Sequence, residues 1–161
     1  MAMNPLIVDI ADMKASDNPE AALITYSLGS CLGVSIYDPE VRVGGLAHFM
    51  LPLSSLDSEK ARTRPFMYVD IGMVLFLEQM FRMGARKEHC IVKVAGGSQL
   101  LDTNDIFRIG QRNHTVLRKI LWKNGMLLKG EEVGGALSRT MRLDLIDGRV
   151  TIKAHGETRE L

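Results

Sequence analysis

The sequence predicts an α+β protein, a layered α/β sandwich of mixed, largely antiparallel strands with helices packed outside. Three observations carry this. Apolar residues alternate in two pairs of short runs, each pair divided by a turn signal, as half-buried strands of hairpins do. Two longer segments, residues 70–83 and 110–123, carry apolar residues at helical spacing. Strands come mostly in hairpins with these two helices inserted, which argues against a doubly wound parallel sheet, and no glycine-rich phosphate loop of either common spacing is present, which disfavours nucleotide chemistry.

Taken in order, residues 6–10 read as a first strand and residues 11–19, rich in Asp, Asn and Ser, as a polar loop. Residues 22–27 form a second strand that runs straight into Leu28-Gly29-Ser30-Cys31. The first hairpin follows, with Leu32, Val34 and Ile36 on one arm, Ala47 and Phe49 on the other, and Asp38-Pro39 breaking the pattern between them. Residues 54–64 are polar and read as an exposed loop closed by Pro65. Asp70 is placed to cap a helix reaching Met83, with Ile71, Val74, Leu75, Met80 and Phe81 inward and Gly84 just past its end. Residues 90–95 are a strand ending at Gly96-Gly97, with Cys90 read as buried in it. The second helix turns Val116, Leu117, Ile120 and Leu121 inward, ends on core Trp122, and stops at Asn124-Gly125. Residues 126–128 begin another strand. The close is a hairpin in which Met141, Leu143 and Leu145 alternate, Asp147-Gly148 turns in two residues, and Val150, Ile152 and Ala154 alternate back.

Composition narrows the function. At 161 residues, with neither repeat nor linker, the chain reads as one domain spanning 1–161. It is 46% hydrophobic and 24% charged, as ordinary globular proteins are. A formal net charge of +1 and the lack of a basic run argue against nucleic acid as a partner. The first residues lack a basic segment, an apolar segment and a small-residue cleavage site, and the longest apolar stretch, residues 71–77, is far short of the ~20 residues a spanning helix needs. A cytoplasmic protein without membrane insertion is expected. Two cysteines in that compartment are expected to be free, each structural, metal-binding or catalytic.

Residues 25–52 hold Cys31 and, seventeen positions later, His48. A hairpin turning at Pro39 and Glu40 would pair Tyr37 with Arg42, Ser35 with Gly44, Gly33 with Leu46 and Cys31 with His48. Opposed Cβ atoms lie roughly 4.5–5.5 Å apart, close enough for a thiol and an imidazole to interact. Gly33, Ser35 and Gly44 on that face are small and would leave room for a substrate. A histidine can hold a cysteine as thiolate, thiolates attack carbonyl carbons, and the histidine can then pass a proton to the leaving group and activate water. A third group must orient the ring, and Thr25, just before the bend, is nearest in the chain. Backbone N–H groups around Ser30 and Cys31 are candidate oxyanion donors, with Gly29 and Ser27 completing the substrate loop. The same residues also suit a packed cysteine and a satisfied core histidine.

Further motifs carry a resemblance. Ile10-Ala11-Asp12-Met13, Thr25 with Leu28-Gly29-Ser30-Cys31, and Gly45-Leu46-Ala47-His48-Phe49-Met50-Leu51-Pro52 are similar to the chemoreceptor glutamine deamidase family, CheD. So are Tyr68-Val69-Asp70, Lys93-Val94-Ala95-Gly96-Gly97, Ile109-Gly110-Gln111-Arg112-Asn113, Glu132-Val133-Gly134-Gly135 and Arg139. The resemblance covers nearly the whole chain in order; Leu53 and Ala136 depart from it, standing where an acidic residue and an asparagine are common. It implies a cysteine hydrolase that turns glutamine side chains of methyl-accepting chemotaxis receptors into glutamate, with Cys31 as nucleophile, His48 as base and Thr25 as the orienting residue. It also implies a fold resembling cysteine-dependent toxin deamidases, no cofactor and no metal, and a CheC-type phosphatase as a partner.

Three rival readings stand beside it. One is a non-catalytic adaptor that binds receptor or CheC. Another is a glutamyl methyl esterase using the same Cys31 and His48. The third, a metal site from Cys31, His48, His89 and Cys90, lacks the spacing that wraps a tetrahedral zinc. His89, His114 and His155 read as surface residues.

Overall fold

The computed structural model describes residues 4–99 and 108–161; the first residues of the segment read for a signal lie outside them. Among the described residues, ten strands form two five-stranded sheets. The central sheet has the order β2 (Asp12–Ser16), β5 (Val43–Phe49), β4 (Leu32–Asp38), β6 (Ile91–Gly96), β7 (Leu128–Val133). The outer sheet has the order β1 (Leu6–Ile7), β3 (Ala22–Leu28), β8 (Arg139–Asp144), β9 (Val150–Ala154), β10 (Glu157–Glu160). Pairing is antiparallel except for β1 with β3 and β6 with β7. The layered α+β sandwich expected from the strand pattern is what the chain forms.

Both faces of the central sheet are covered, which is why every residue of β4 and β5 is buried. Leu32, Val34, Ile36, Ala47 and Phe49 pack under α2 (Val69–Arg82) and α3 (Ile109–Lys123). The opposite face, through Tyr37, Leu46 and Ala95, meets Leu23, Leu28, Met141, Leu143 and Ile152 of the outer sheet. Gly44 and Gly45 allow this double coverage: a Cβ at Gly44 would press on Leu143 and Leu145, and one at Gly45 on Phe76 and Met80. The helices, the central sheet and the outer sheet are therefore three packed layers.

Several local expectations are corrected. The segment read as a polar loop contains β2, whose five residues pair along β5 and are half-buried at the sheet edge. Residues 54–64 are not a loop but a 3-10 turn (Ser54–Leu56) followed by the short helix α1 (Ser58–Thr63), which Asp57 caps by accepting from the Lys60 N–H. Asp70 does not cap α2. That position is Tyr68, and Asp70 instead accepts from the Ser54 N–H and hydroxyl, tying the 3-10 turn to the helix.

The buried stripe of α2 is Val69, Gly72, Met73, Phe76, Leu77 and Met80, with Val74, Leu75 and Phe81 outward. This helix is apolar nearly all round, so periodicity alone allowed two stripes. In α3 Leu117 and Leu121 are buried and Val116 and Ile120 pack beside them, as expected. Trp122, expected in the core, is 77% exposed because it lies about 100° round the helix from Leu121. Cys90 precedes β6 and is only partly buried against the core.

Turns account for the remaining differences. The first hairpin pairs Leu32 with Phe49, Gly33 with His48, Ser35 with Leu46 and Asp38 with Val43, two residues from the expected register. Its loop is residues 39–42, initiated by Asp38, whose carboxylate accepts from the Glu40 and Arg86 N–H groups. The last hairpin pairs Leu143 with Val150 around a longer turn than two residues. Leu145 cannot pair there, because it is fully buried between the sheets with its N–H donated to the Ala21 carbonyl.

Candidate active site

The two-residue change in register keeps side-chain parity, so His48 still shares a face with Gly33 and with the approach to Cys31. That face does not open to solvent but looks across to the outer sheet. The room that Gly33 and Gly44 leave is filled: a Cβ at Gly33 would collide with Leu28 and Met141. His48 stands directly opposite Gly33, and its backbone is also held by β2, where Asp12 is its partner and the Ala11 N–H donates to its carbonyl. The imidazole therefore crosses the space between the layers from a strand fixed on both sides.

What it meets there is Thr25, on β3 of the other sheet. Thr25 and His48 are both fully buried, and Thr25 Oγ1 lies 2.7 Å from His48 Nδ1. The same hydroxyl donates to the Val8 carbonyl at 2.7 Å. A threonine hydroxyl has one hydrogen, so toward His48 it accepts. Nδ1 then carries the ring proton, and Nε2 presents a lone pair that has no hydrogen-bond partner among the described residues. The parallel pairing of β1 along β3 places the Val8 carbonyl, and with it the tautomer.

Thr25 faces inward with Leu23, by the alternation of β3, and a bulge directly after it turns Leu28 inward as well. Between the pairs Thr25 with Met141 and Leu28 with Arg139, two residues of β3 oppose one of β8. Tyr26 and Ser27 are turned outward there, and Ser27 takes a left-handed φ of 59°. Both Thr25 and Leu28 can thus point into the core, and the chain leaves β3 toward Gly29, Ser30 and Cys31.

Cys31 sits one residue before β4, diagonal to His48, partly buried against the core between the sheets. Its loop is fixed on all sides. The Gly29 N–H donates to the Ser27 carbonyl, the Gly29 carbonyl accepts from the Ser98 N–H at 2.8 Å, and the Cys31 carbonyl accepts from the Gly97 N–H at 2.8 Å. Gly96, at φ +109°, lies so close that any Cβ would overlap the Cys31 carbonyl. Asn113 of α3 donates to the Ser30 carbonyl at 3.1 Å and to the Met50 carbonyl at 3.0 Å. Behind this, buried Arg139 donates to Glu132, to the Gly96 and Gly134 carbonyls and to Ser98 Oγ, so the glycine pairs of two strand ends share one guanidinium.

Electrostatics set the resting protonation. Burial pushes the Cys31 thiol up from its ordinary value, opposed in part by its own backbone N–H. Burial lowers His48 to about 4. The resting pair at neutral pH is therefore thiol and neutral imidazole, not the thiolate that an adjacent histidine suggested. Cys90, raised to about 11 by burial and by the neighbouring Asp38 and Glu88, belongs to a different place. With His89 it lies beside Asp38, at the far end of β4 from Cys31, so the four residues weighed as a metal site do not converge.

The structure thus brings Thr25 and His48 into contact and sets Cys31 on the adjoining loop, flanked by Gly29 and Ser30. Sequence reading did not connect Asn113, Ser98 or Arg139 to this loop. A signal for Asn113 existed: it occupies the inward stripe of α3, four and eight residues before Leu117 and Leu121, where a polar side chain must find partners.

A model of the family described as CheD chemotactic sensory transduction matches residues 50–154. The chain is 49% identical, over 96% of its length and 96% of the relative's, to a protein of Syntrophus aciditrophicus (strain SB) named probable chemoreceptor glutamine deamidase CheD 1. It is 45% identical, over 99% and 94%, to the probable chemoreceptor glutamine deamidase CheD of Solibacter usitatus (strain Ellin6076). A protein of Anaeromyxobacter dehalogenans (strain 2CP-C), named probable chemoreceptor glutamine deamidase CheD 2, is 40% identical over 94% and 96%. By the extent of these matches, the chain belongs to the CheD family.

Proposed function

We propose that this protein, acting as one domain in the cytoplasm, deamidates glutamine side chains of chemotaxis receptors to glutamate through a thioester on Cys31. The observation that carries the reading is the Thr25 to His48 hydrogen bond, which holds the ring proton on Nδ1 and leaves Nε2 as a base. The names of the relatives support the substrate and the reaction.

As Cys31 Sγ attacks the carboxamide carbon, its proton passes to His48 Nε2, and the carbonyl oxygen becomes an oxyanion. The Gly29 N–H is engaged by Ser27, so the Ser30 and Cys31 N–H groups are the donors for that charge. Ser27 and Gly29 then shape the loop. Collapse of the adduct expels ammonia, which takes the proton back from imidazolium, and the thioester remains. Water attacks it with His48 Nε2 accepting a proton, the C–S bond breaks, and the thiol is restored as glutamate leaves. A neutral resting pair suits this cycle, because charge develops only once substrate has displaced water from the site. Replacing an amide by a carboxylate adds charge to the receptor surface, which is how the product alters signalling. A CheC-type phosphatase is the regulatory partner proposed from family resemblance.

Mass spectrometry of a receptor fragment incubated with the protein tests the reading. The expected result is a gain of about 1 Da at glutamine sites, absent with Cys31→Ala. The same gain with Cys31→Ala protein overturns it, and release of methanol from a methylated fragment without the 1 Da gain favours the esterase.

A further inference from the structure

We propose that Asn113 is a positioning residue that sets the approach of Cys31 to His48; this rests on the reading of those two residues as nucleophile and base. The carboxamide of Asn113 is fully buried, and its Nδ2 uses both hydrogens, one on the carbonyl of Ser30, next to Cys31, and one on the carbonyl of Met50, two residues beyond His48. One rigid planar group therefore spans the loop that bears the nucleophile and the end of the strand that bears the base. Two carbonyl acceptors also settle which end of the amide is nitrogen, since a flipped amide would set oxygen against both.

A second observation separates this role from plain stabilisation. Asn113 Oδ1 is buried with no hydrogen-bond partner, as is His48 Nε2, among the described residues. A side chain selected for stability alone would not leave a buried acceptor unpaired. Here the unpaired oxygen is the consequence of aiming both donors at two separate segments. The helix supports that aim: Gly110, one turn earlier, lies against the Gly97 and Ser98 carbonyls so closely that a Cβ there would overlap them, so α3 is seated directly on the loop that also holds Gly29 and Cys31.

The test uses the full chain with Asn113→Ala and with Asn113→Asp, whose carboxylate keeps the size but donates neither hydrogen. Both variants are expected to lower kcat for deamidation of a receptor fragment on the order of 100-fold, the effect of a misplacement near 1 Å, with KM within about twofold. Iodoacetamide labelling followed by mass spectrometry supplies a readout that needs no receptor. Once Ser30 is released, Cys31 becomes more hydrated, so its labelling at neutral pH rises several-fold while Cys90, at the other end of β4, labels as in the wild type. Unchanged kcat in either variant, or labelling of Cys31 and Cys90 that rises together, overturns the proposal. A wild-type protein that leaves receptor glutamines intact refutes the deamidase reading, and the labelling contrast still decides the role of Asn113.

Discussion

Thr25 and His48, on different sheets and 23 residues apart, meet through a single 2.7 Å hydrogen bond. Because Thr25 gives its own hydrogen to Val8, that bond fixes both the tautomer and the tilt of the ring. Thr25→Val should leave the Nδ1–H and the Val8 carbonyl unpaired in the core, costing about 1–3 kcal/mol of stability and lowering kcat on the order of 100-fold. Thr25→Ser, which keeps the hydroxyl, should retain most of the activity. Urea unfolding and steady-state deamidation of both variants check this, and a Thr25→Val protein with wild-type kcat would remove Thr25 from the mechanism.

The depressed His48 pKa predicts how stability follows pH. The folded value, about 4, lies below the ordinary 6.5, so between these values the unfolded chain binds more protons. Stability from this group is full above pH 6.5 and is lost as pH falls toward 4. Going from pH 7 to pH 5 should cost about 2 kcal/mol, read as a lower urea midpoint. His48→Gln should show a flatter profile over that range. In the same terms the acid limb of kcat/KM should lie well below 6.5, reporting the pair in the free enzyme; a limb at 6.5 would show a hydrated imidazole.

Gly96 is required for two reasons at one place: its φ of +109° and its contact with the Cys31 carbonyl. Gly96→Ala should destabilise by about 1–3 kcal/mol or more and slow turnover, because Cys31 and its loop must shift. Gly125, also at positive φ but with open space around it, is the control. Gly125→Ala should cost only the backbone strain and leave kcat unchanged. Thermal unfolding and kcat measured on the two variants separate the effects, and equal kcat values would mean that the contact does not position the loop.

Much of this protein was legible in local pattern. The alternation through Leu32, Val34 and Ile36 determined a strand and the stripe through Leu117 and Leu121 a helix, since period and turn chemistry are properties of neighbouring residues, and LGSC with HFMLP carried the resemblance to the family. What only the tertiary structure decided depends on partners far away in the chain. The bulge at Ser27 lets Leu28 follow Thr25 into the core, the burial of Leu145 lengthens the last turn, and the central sheet is covered on both sides, so small residues that suggested an open cleft are packed against the second layer. The protonation of Cys31 and His48 follows from that burial, because removing water penalises charge on both, and no spacing of residues along the chain reports how much water is removed.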